Sequence, residues 1–331
     1  LKELSLPLPN RPRYAARLNA FRLGLPGRPT PADLIRRAAQ VPGIDAADLN
    51  YPDHFDGQTP ADMARVLADA GLALNGIAMR YYTDPGFRLG AFTHPDPATR
   101  RAAIDLTKRG LDALAEMGGR VMTLWLGQDG VDYSFQGDYA RMWDDTVAAL
   151  AEVADHNPAL DIAVEYKPSE PRAFALLPDL GMNLVALGQV NRPNTGITLD
   201  FAHVLYAGEI PAQAASVASR QSRLLGVHLN DGYGKRDDGL MVGSVHPVQT
   251  VELFLELDRI GYDGVIYFDT FPDHGGLDPL AEAAANVAMA DRLRSIAATL
   301  GRDPALASAI ARQDAPAALR LVAGAMYGGP V

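Results

Sequence analysis

The chain has no cysteine in 331 residues. That absence excludes disulfides, zinc ribbons, iron–sulfur centres and thiol nucleophiles, so a bound metal must be held by carboxylates and imidazoles. No apolar run approaches the length of a membrane span, and the segment 1–17, with Pro7, Pro9 and Pro12, lacks the apolar stretch of a signal peptide. A cytoplasmic protein with no membrane partner is expected. Basic residues are in deficit: 30 Lys and Arg against 40 Asp and Glu leave a formal charge of -10, which disfavours a nucleic-acid partner. No G-x-G-x-x-G follows the first candidate strand and no Walker A run occurs, so nucleotide chemistry is disfavoured too. There is also no Ser/Gly linker to divide the chain, and its 48% apolar and 21% charged residues belong to an ordinary globular protein.

What is present is a repeat of short apolar segments and longer amphipathic ones. Candidate strands lie at 16–23, 44–49, 73–79, 121–126, 161–165, 196–200, 224–229 and 264–268. Between them, 31–39, 60–70, 99–116, 139–153, 211–219, 248–260 and 280–299 carry apolar residues at helical spacing. Thr30 and Thr59 stand before Pro31 and Pro60, placing a hydroxyl acceptor ahead of a first-turn proline. Gly71, Gly118, Gly119 and Gly261 fall just past helix ends, where a left-handed residue is cheapest. Strand–helix units repeated at this length predict an α/β fold, a (β/α)8 TIM barrel, with an open doubly wound sheet as the alternative. The expected organisation is an N-terminal extension (1–15), a catalytic barrel (16–300) and a C-terminal helical extension (301–331) that could pack on a second copy of the chain.

The unusual polar residues fall at strand ends. Asn50, Trp125, Glu165, Asp200, His228 and Asp269 stand at or just beyond the C-terminal ends of different candidate strands, the rim where barrel active sites are built. In Glu165-Tyr-Lys167 an acid and a cation lie two residues apart, on one face of the strand. An internal salt bridge and a metal-binding carboxylate beside a substrate-polarising cation both fit. Asp200 is followed three residues later by His203, and the same Asp would serve as a helix cap. His228 closes an apolar strand, where a core histidine is the simpler reading. Taken together, three carboxylates and an imidazole suit a divalent ion, Mn²⁺ foremost with Mg²⁺ or Co²⁺ as alternatives, leaving positions for substrate oxygens. Tyr81, Tyr82, Phe87 and Phe92, interspersed with Gly86 and Gly90, read either as a lid or as a packed loop.

The run Glu165-Tyr-Lys167-Pro-Ser-Glu170-Pro-Arg172 resembles the Glu-Pro-Lys-Pro-x-Glu-Pro segment of xylose isomerases. From about Phe92 through Pro272 the order of motifs is similar to the rhamnose-isomerase-like branch of that superfamily, including Met122-Thr-Leu-Trp125 and His228-Leu-Asn230-Asp231. The resemblance implies that Glu165, Asp200, His228 and Asp269 hold a metal, that Lys167 contacts sugar oxygens, and that Trp125 walls the carbon chain. It also implies aldose–ketose interconversion by metal-assisted hydride shift. A second, catalytic metal in that branch uses a His one turn past the Asp strand, matched by His203, and an Asp-x-Asp pair. Here the loop 232–240 instead offers adjacent Asp237 and Asp238.

The resulting expectation is a divalent-metal sugar isomerase acting on an unphosphorylated monosaccharide, with Lys167, His203, Asp237 and His54 as catalytic candidates. Trp125, Asn50, Glu170 and His246 are the candidate substrate contacts. Three alternatives remain: a one-metal epimerase, the catalytic subunit of a C-glycoside deglycosylating enzyme with a smaller partner subunit, or a non-catalytic sugar-binding barrel. His54 and His246 are candidate bases for the first two. A related metal-dependent endonuclease would need a basic groove and a histidine-rich site, which the charge and the core set do not supply.

Overall fold

The computed structural model describes residues 13–328; residues 1–12 of the expected N-terminal extension and 329–331 of the C-terminal one lie outside the described residues. Ten strands follow in chain order: β1 (Tyr14–Ala16), β2 (Ile44–Tyr51), β3 (Ala73–Met79), β4 (Val121–Trp125), β5 (Gly130–Val131), β6 (Asp161–Glu165), β7 (Phe174–Ala175), β8 (Thr195–Asp200), β9 (Leu224–Leu229) and β10 (Ile266–Phe268). Eight of them close into a parallel barrel in the order β1-β10-β9-β8-β6-β4-β3-β2, while β5 and β7 pair antiparallel above the rim. This is the expected TIM barrel.

The first strand sits earlier than its apolar run predicts. β1 ends at Ala16, and Leu18–Arg22 forms a 3-10 turn with Leu18 and Phe21 buried. The i, i+3 spacing of those two residues puts them on one side of a three-residue turn, which buries them as well as a strand would. The helix Leu180–Val190, between β7 and β8, was not among the expected segments. Gly181 and Gly188 weaken its local signal, and burial of Ala186, Leu187 and Val190 against the sheet supplies what propensity does not.

Helix starts follow the sequence closely. Thr30 and Thr59 each accept from the backbone three residues on, and Asp33 and Asp62 reach back to complete capping boxes. Gly71, Gly118 and Gly261 adopt the left-handed conformation, whereas Gly119 does not; a Cβ there would lie 2.3 Å from Leu114. Most of the apolar core lies between sheet and helices, and a small cluster of Ala15, Ala46, Val265 and Tyr267 packs separately. Beyond the helix Pro279–Gly301, two more helices, Pro304–Ala311 and Ala315–Tyr327, extend the fold. Leu321, Val322 and Met326 are half-buried against the core. No helix among the described residues is long and apolar enough to cross a membrane.

Two glycines separate close packing from chain entropy. A Cβ at Gly196 on β8 would meet the Arg223 carbonyl at 2.5 Å, whereas none of the surrounding atoms comes within 4 Å of one at Gly188. Chemical denaturation of Gly196→Ala should show a loss of about 1–3 kcal/mol. Gly188→Ala should gain about 0.5–1 kcal/mol; equal effects of the two would refute the distinction.

Candidate metal centre at the barrel mouth

Parallel pairing places the acids and the imidazole side by side. Asp200 at the end of β8 is in register with His228 on β9, His228 with Tyr267 on β10, and Trp125 with Glu165 across β4 and β6. Asp269 follows β10 directly. Glu165, Asp200, His228 and Asp269 each present one ligand atom, all within 4.8 Å of one another. His228 Nδ1 lies 3.3 Å from Glu165 Oε1 and 4.0 Å from both Asp200 Oδ2 and Asp269 Oδ2.

Asp200 is held on both oxygens. Its Oδ1 accepts from the His203 backbone, capping the helix Phe201–Tyr206, and Asn230 Nδ2 donates to Oδ1 and Oδ2 at 3.2 and 3.1 Å. The same amide group donates to the Asp269 carbonyl, and Asn230 Oδ1 accepts from Ala202. Asn230 is fully buried and ties together two of the four loops. Burial pushes the Asp200 carboxyl up to about 7, against the pull of His203. Burial opposes charge on His228 as well, yet Glu165, Asp269 and Asp200 lift it to about 9. Three acids around one imidazole call for more positive charge than the protein supplies, and a divalent cation fits that donor set.

Above this cluster runs a chain of charges. Lys167 Nζ donates to Asp237 Oδ2 and Glu170 Oε2, both at 3.0 Å, and its ammonium lies 5.1 Å from the Trp125 ring centre. His203 Nε2 donates to the same Asp237 oxygen at 3.2 Å. Burial resists the charge, but Asp200 and Asp237 raise His203 to about 10, favouring the imidazolium form. Asp238 points elsewhere: its oxygens accept from the Tyr233 backbone and Arg236 Nε. The adjacent acids therefore serve different ends, one at the mouth and one inside its own loop.

The mouth opens on a cavity of about 380 Å³ lined by Trp125, Glu165, Lys167, Glu170, His203, Asp237 and Asp269 from the expected set. Asn50, His54 and His246 do not line it. His54 is buried behind the wall, where its Nδ1 accepts from the Asn50 backbone and its Nε2 donates to Asn19, a lining residue. His246 donates to Asp231 Oδ1 at 2.8 Å and fixes the loop before the helix Pro247–Ile260. Residues 81–92 form a packed loop rather than a lid, since Tyr81, Phe87 and Phe92 are buried edge to face. Only Tyr82 of that aromatic group turns to the cavity, edge-on to Trp125.

Four lining residues had no role in the sequence reading: Arg17, Asn19, Arg80 and Phe271. Arg80 immediately follows β3, whose end the sequence marked, so a scan of every post-strand position would have found it. Arg17 immediately follows β1 but was hidden because the first strand was expected to run through it.

The closed eight-strand parallel sheet with its surrounding helices defines a TIM barrel, and the strand-end acid cluster lies on its C-terminal rim. Residues 35–294 match the family model of xylose isomerase-like TIM barrels, and the chain belongs to that family. It is 29% identical over 255 residues to xylose isomerase of Thermus thermophilus, an alignment covering 72% of this chain and 65% of that relative's length. Xylose isomerase of Thermus caldophilus is 29% identical over 302 residues, covering 85% of this chain and 77% of the relative. Among solved structures, L-ribulose 3-epimerase superposes with a TM-score of 0.68 at 18% identity, covering 87% of this chain and 96% of the other. D-allulose 3-epimerase from Methylomonas sp. gives 0.66 at 19%, covering 86% and 99%. At these identities the two structures speak for the fold.

The placement of His54 carries a pH consequence. Burial, with Arg80 and Arg22 nearby, lowers it to about 3, while a histidine in an unfolded chain titrates near 6.5. Between those values the unfolded state binds the extra proton. The His54 contribution is thus complete above about pH 6.5 and falls on acidification by at most about 1.4 kcal/mol per pH unit. Urea denaturation of His54→Gln between about pH 7 and about pH 4 should show a shallower loss of stability than the parent. Parallel curves would overturn this assignment.

Proposed function

We propose that the protein is a divalent-metal-dependent sugar isomerase or epimerase that moves a proton at the carbon next to a carbonyl of an unphosphorylated sugar. The observation that carries this reading is the single four-residue cluster among the described residues, with the Lys167 ammonium resting on Asp237 where a second cation would need that carboxylate. Glu165, Asp200, His228 and Asp269 would hold the ion, Mn²⁺ first among the candidates. When bound it supplies Lewis-acid polarisation of the sugar's hydroxycarbonyl oxygens.

The remaining work falls to the chain's own side chains. Lys167 and His203 present positive charge to the cavity from fixed positions, set by their common partner Asp237, and would stabilise charge developing on the carbonyl oxygen. Glu165 and Asp269 both line the cavity from β6 and from the end of β10, with β8 and β9 between them. Carboxylates reaching a substrate from separate strands can take a proton on one side and return it on another, the arrangement that inversion at a stereocentre requires. The similarity to 3-epimerase structures agrees with this at the level of fold. Trp125 and Tyr82 offer aromatic surface to the C–H face of a sugar.

Aldose–ketose exchange by hydride shift is the second reading. His203 Nδ1 and Asp237 Oδ1 are buried without hydrogen-bond partners, and the xylose isomerase relatives share sequence with this chain. The two readings part over solvent hydrogen. Turnover of a ketose and pentose panel in D₂O, followed by NMR, should place deuterium on the product carbon; turnover without incorporation would transfer the assignment to hydride shift.

Metal loading tests the centre itself. Elemental analysis of protein supplied with Mn²⁺ should give one ion per chain in the parent and none retained in Asp200→Asn. Asn230→Ala, which removes the amide holding Asp200, should weaken binding by about 10–100-fold. Full retention of manganese in Asp200→Asn would overturn the ligand set.

A further inference from the structure

Two arginines and a lysine line the cavity beside His203, and two of these three are already engaged. Arg17 pairs with Asp273, donates to the Thr270 carbonyl and lies over the Phe271 ring. Lys167 is held by Asp237 and Glu170. The third, Arg80, has no ion-pair partner among the described residues, and its Nε is buried without a hydrogen-bond partner. Its guanidinium packs 5.5 Å from the Tyr82 ring centre.

Arg80 also borders a second, smaller chamber beneath the cavity, lined by Glu165, His228, Tyr267 and Asp269. It therefore stands between the open mouth and the acid cluster. Burial opposes its charge there, while the fields of Tyr82, Tyr267, Asp269 and Glu165 favour it. A divalent ion bound by those same carboxylates would consume much of that field and leave a desolvated guanidinium without compensation. A ligand that brings its own negative charge restores the balance. The planar fork of a guanidinium matches a carboxylate with two parallel hydrogen bonds, and a single free cation matches one negative charge. A phosphate dianion would also meet Glu170, Asp237 and Asp269 in the same lining.

We infer that Arg80 receives a carboxylate of the substrate, so that the sugar handled by this site is a sugar acid rather than a neutral monosaccharide. The inference rests on the metal-dependent sugar reading above and adds the substrate class to it.

Calorimetric titration of the manganese-loaded protein tests this with matched ligands: a hexose, the corresponding hexuronate and the hexose 6-phosphate, in the gluco, galacto and manno series. The hexuronate should bind about 10–100-fold more tightly than the hexose, the worth of a charge-assisted pair of hydrogen bonds. Arg80→Met should abolish that preference, the hexuronate losing far more affinity than the hexose, with manganese content retained, and Arg80→Lys should keep part of the preference. Three results would overturn the inference: a neutral hexose bound as tightly as its uronate, equal loss of both in Arg80→Met, or tighter binding of the 6-phosphate. Manganese content is read separately on the same samples. A parent protein that takes up no metal would defeat the metal-centre reading, while the uronate-to-hexose ratio would still report on Arg80.

Discussion

Three carboxylates and an imidazole converge within 4.8 Å at the C-terminal mouth of the barrel, and the cost of holding that charge out of water organises the groups around it. Burial alone would drive protons onto the acids. Asn230 offsets part of the cost by donating to both oxygens of Asp200, and the helix Phe201–Tyr206 contributes a backbone donor from its first turn. His203, one turn into that helix, is drawn toward the imidazolium form by Asp200 and Asp237. The residual negative charge is what a divalent cation would satisfy.

Positive groups are distributed by the same constraint. Lys167 leaves β6 two residues after Glu165, and its ammonium bridges Asp237 and Glu170 across the mouth. This pairing engages one oxygen of Asp237 and leaves the other buried without a hydrogen-bond partner. Asp238, next in the chain, satisfies its own loop instead. Arg80, at the boundary of the two chambers, makes no ion pair among the described residues and lies over the Tyr82 ring.

Rigidity at the mouth comes from the scaffold beneath. Capping boxes at Thr30 and Thr59 start their helices, and parallel pairing fixes the strand ends against each other. The aromatic loop 81–92 is anchored by the buried Tyr81, Phe87 and Phe92, and Tyr82 meets Trp125 edge to face. His54, buried outside the cavity, hydrogen-bonds Asn19 of its lining, although a histidine beside a rim looks like a base in the sequence.

The sequence by itself determined the repeat of strands and helices, the helix starts marked by Thr-Pro, and the four strand-end residues Glu165, Asp200, His228 and Asp269. Each of these is a local signal, carried by alternation, by cap chemistry or by position at a strand terminus. The run Glu165-Tyr-Lys167-Pro-Ser-Glu170-Pro also announced the family that the whole barrel then matched. What the tertiary structure decided depends on distance in space rather than in sequence. It moved the first strand to Tyr14–Ala16, because Leu18 and Phe21 bury equally well on a three-residue turn. It took Asn50, His54 and His246 away from the cavity and brought Arg17 and Arg80 into it. It also separated Asp237 from Asp238. Apolar periodicity reports which face of an element is buried, but not what lies across from it. The partners of a charged side chain are set only when the barrel closes and brings strands far apart in the chain to a common rim.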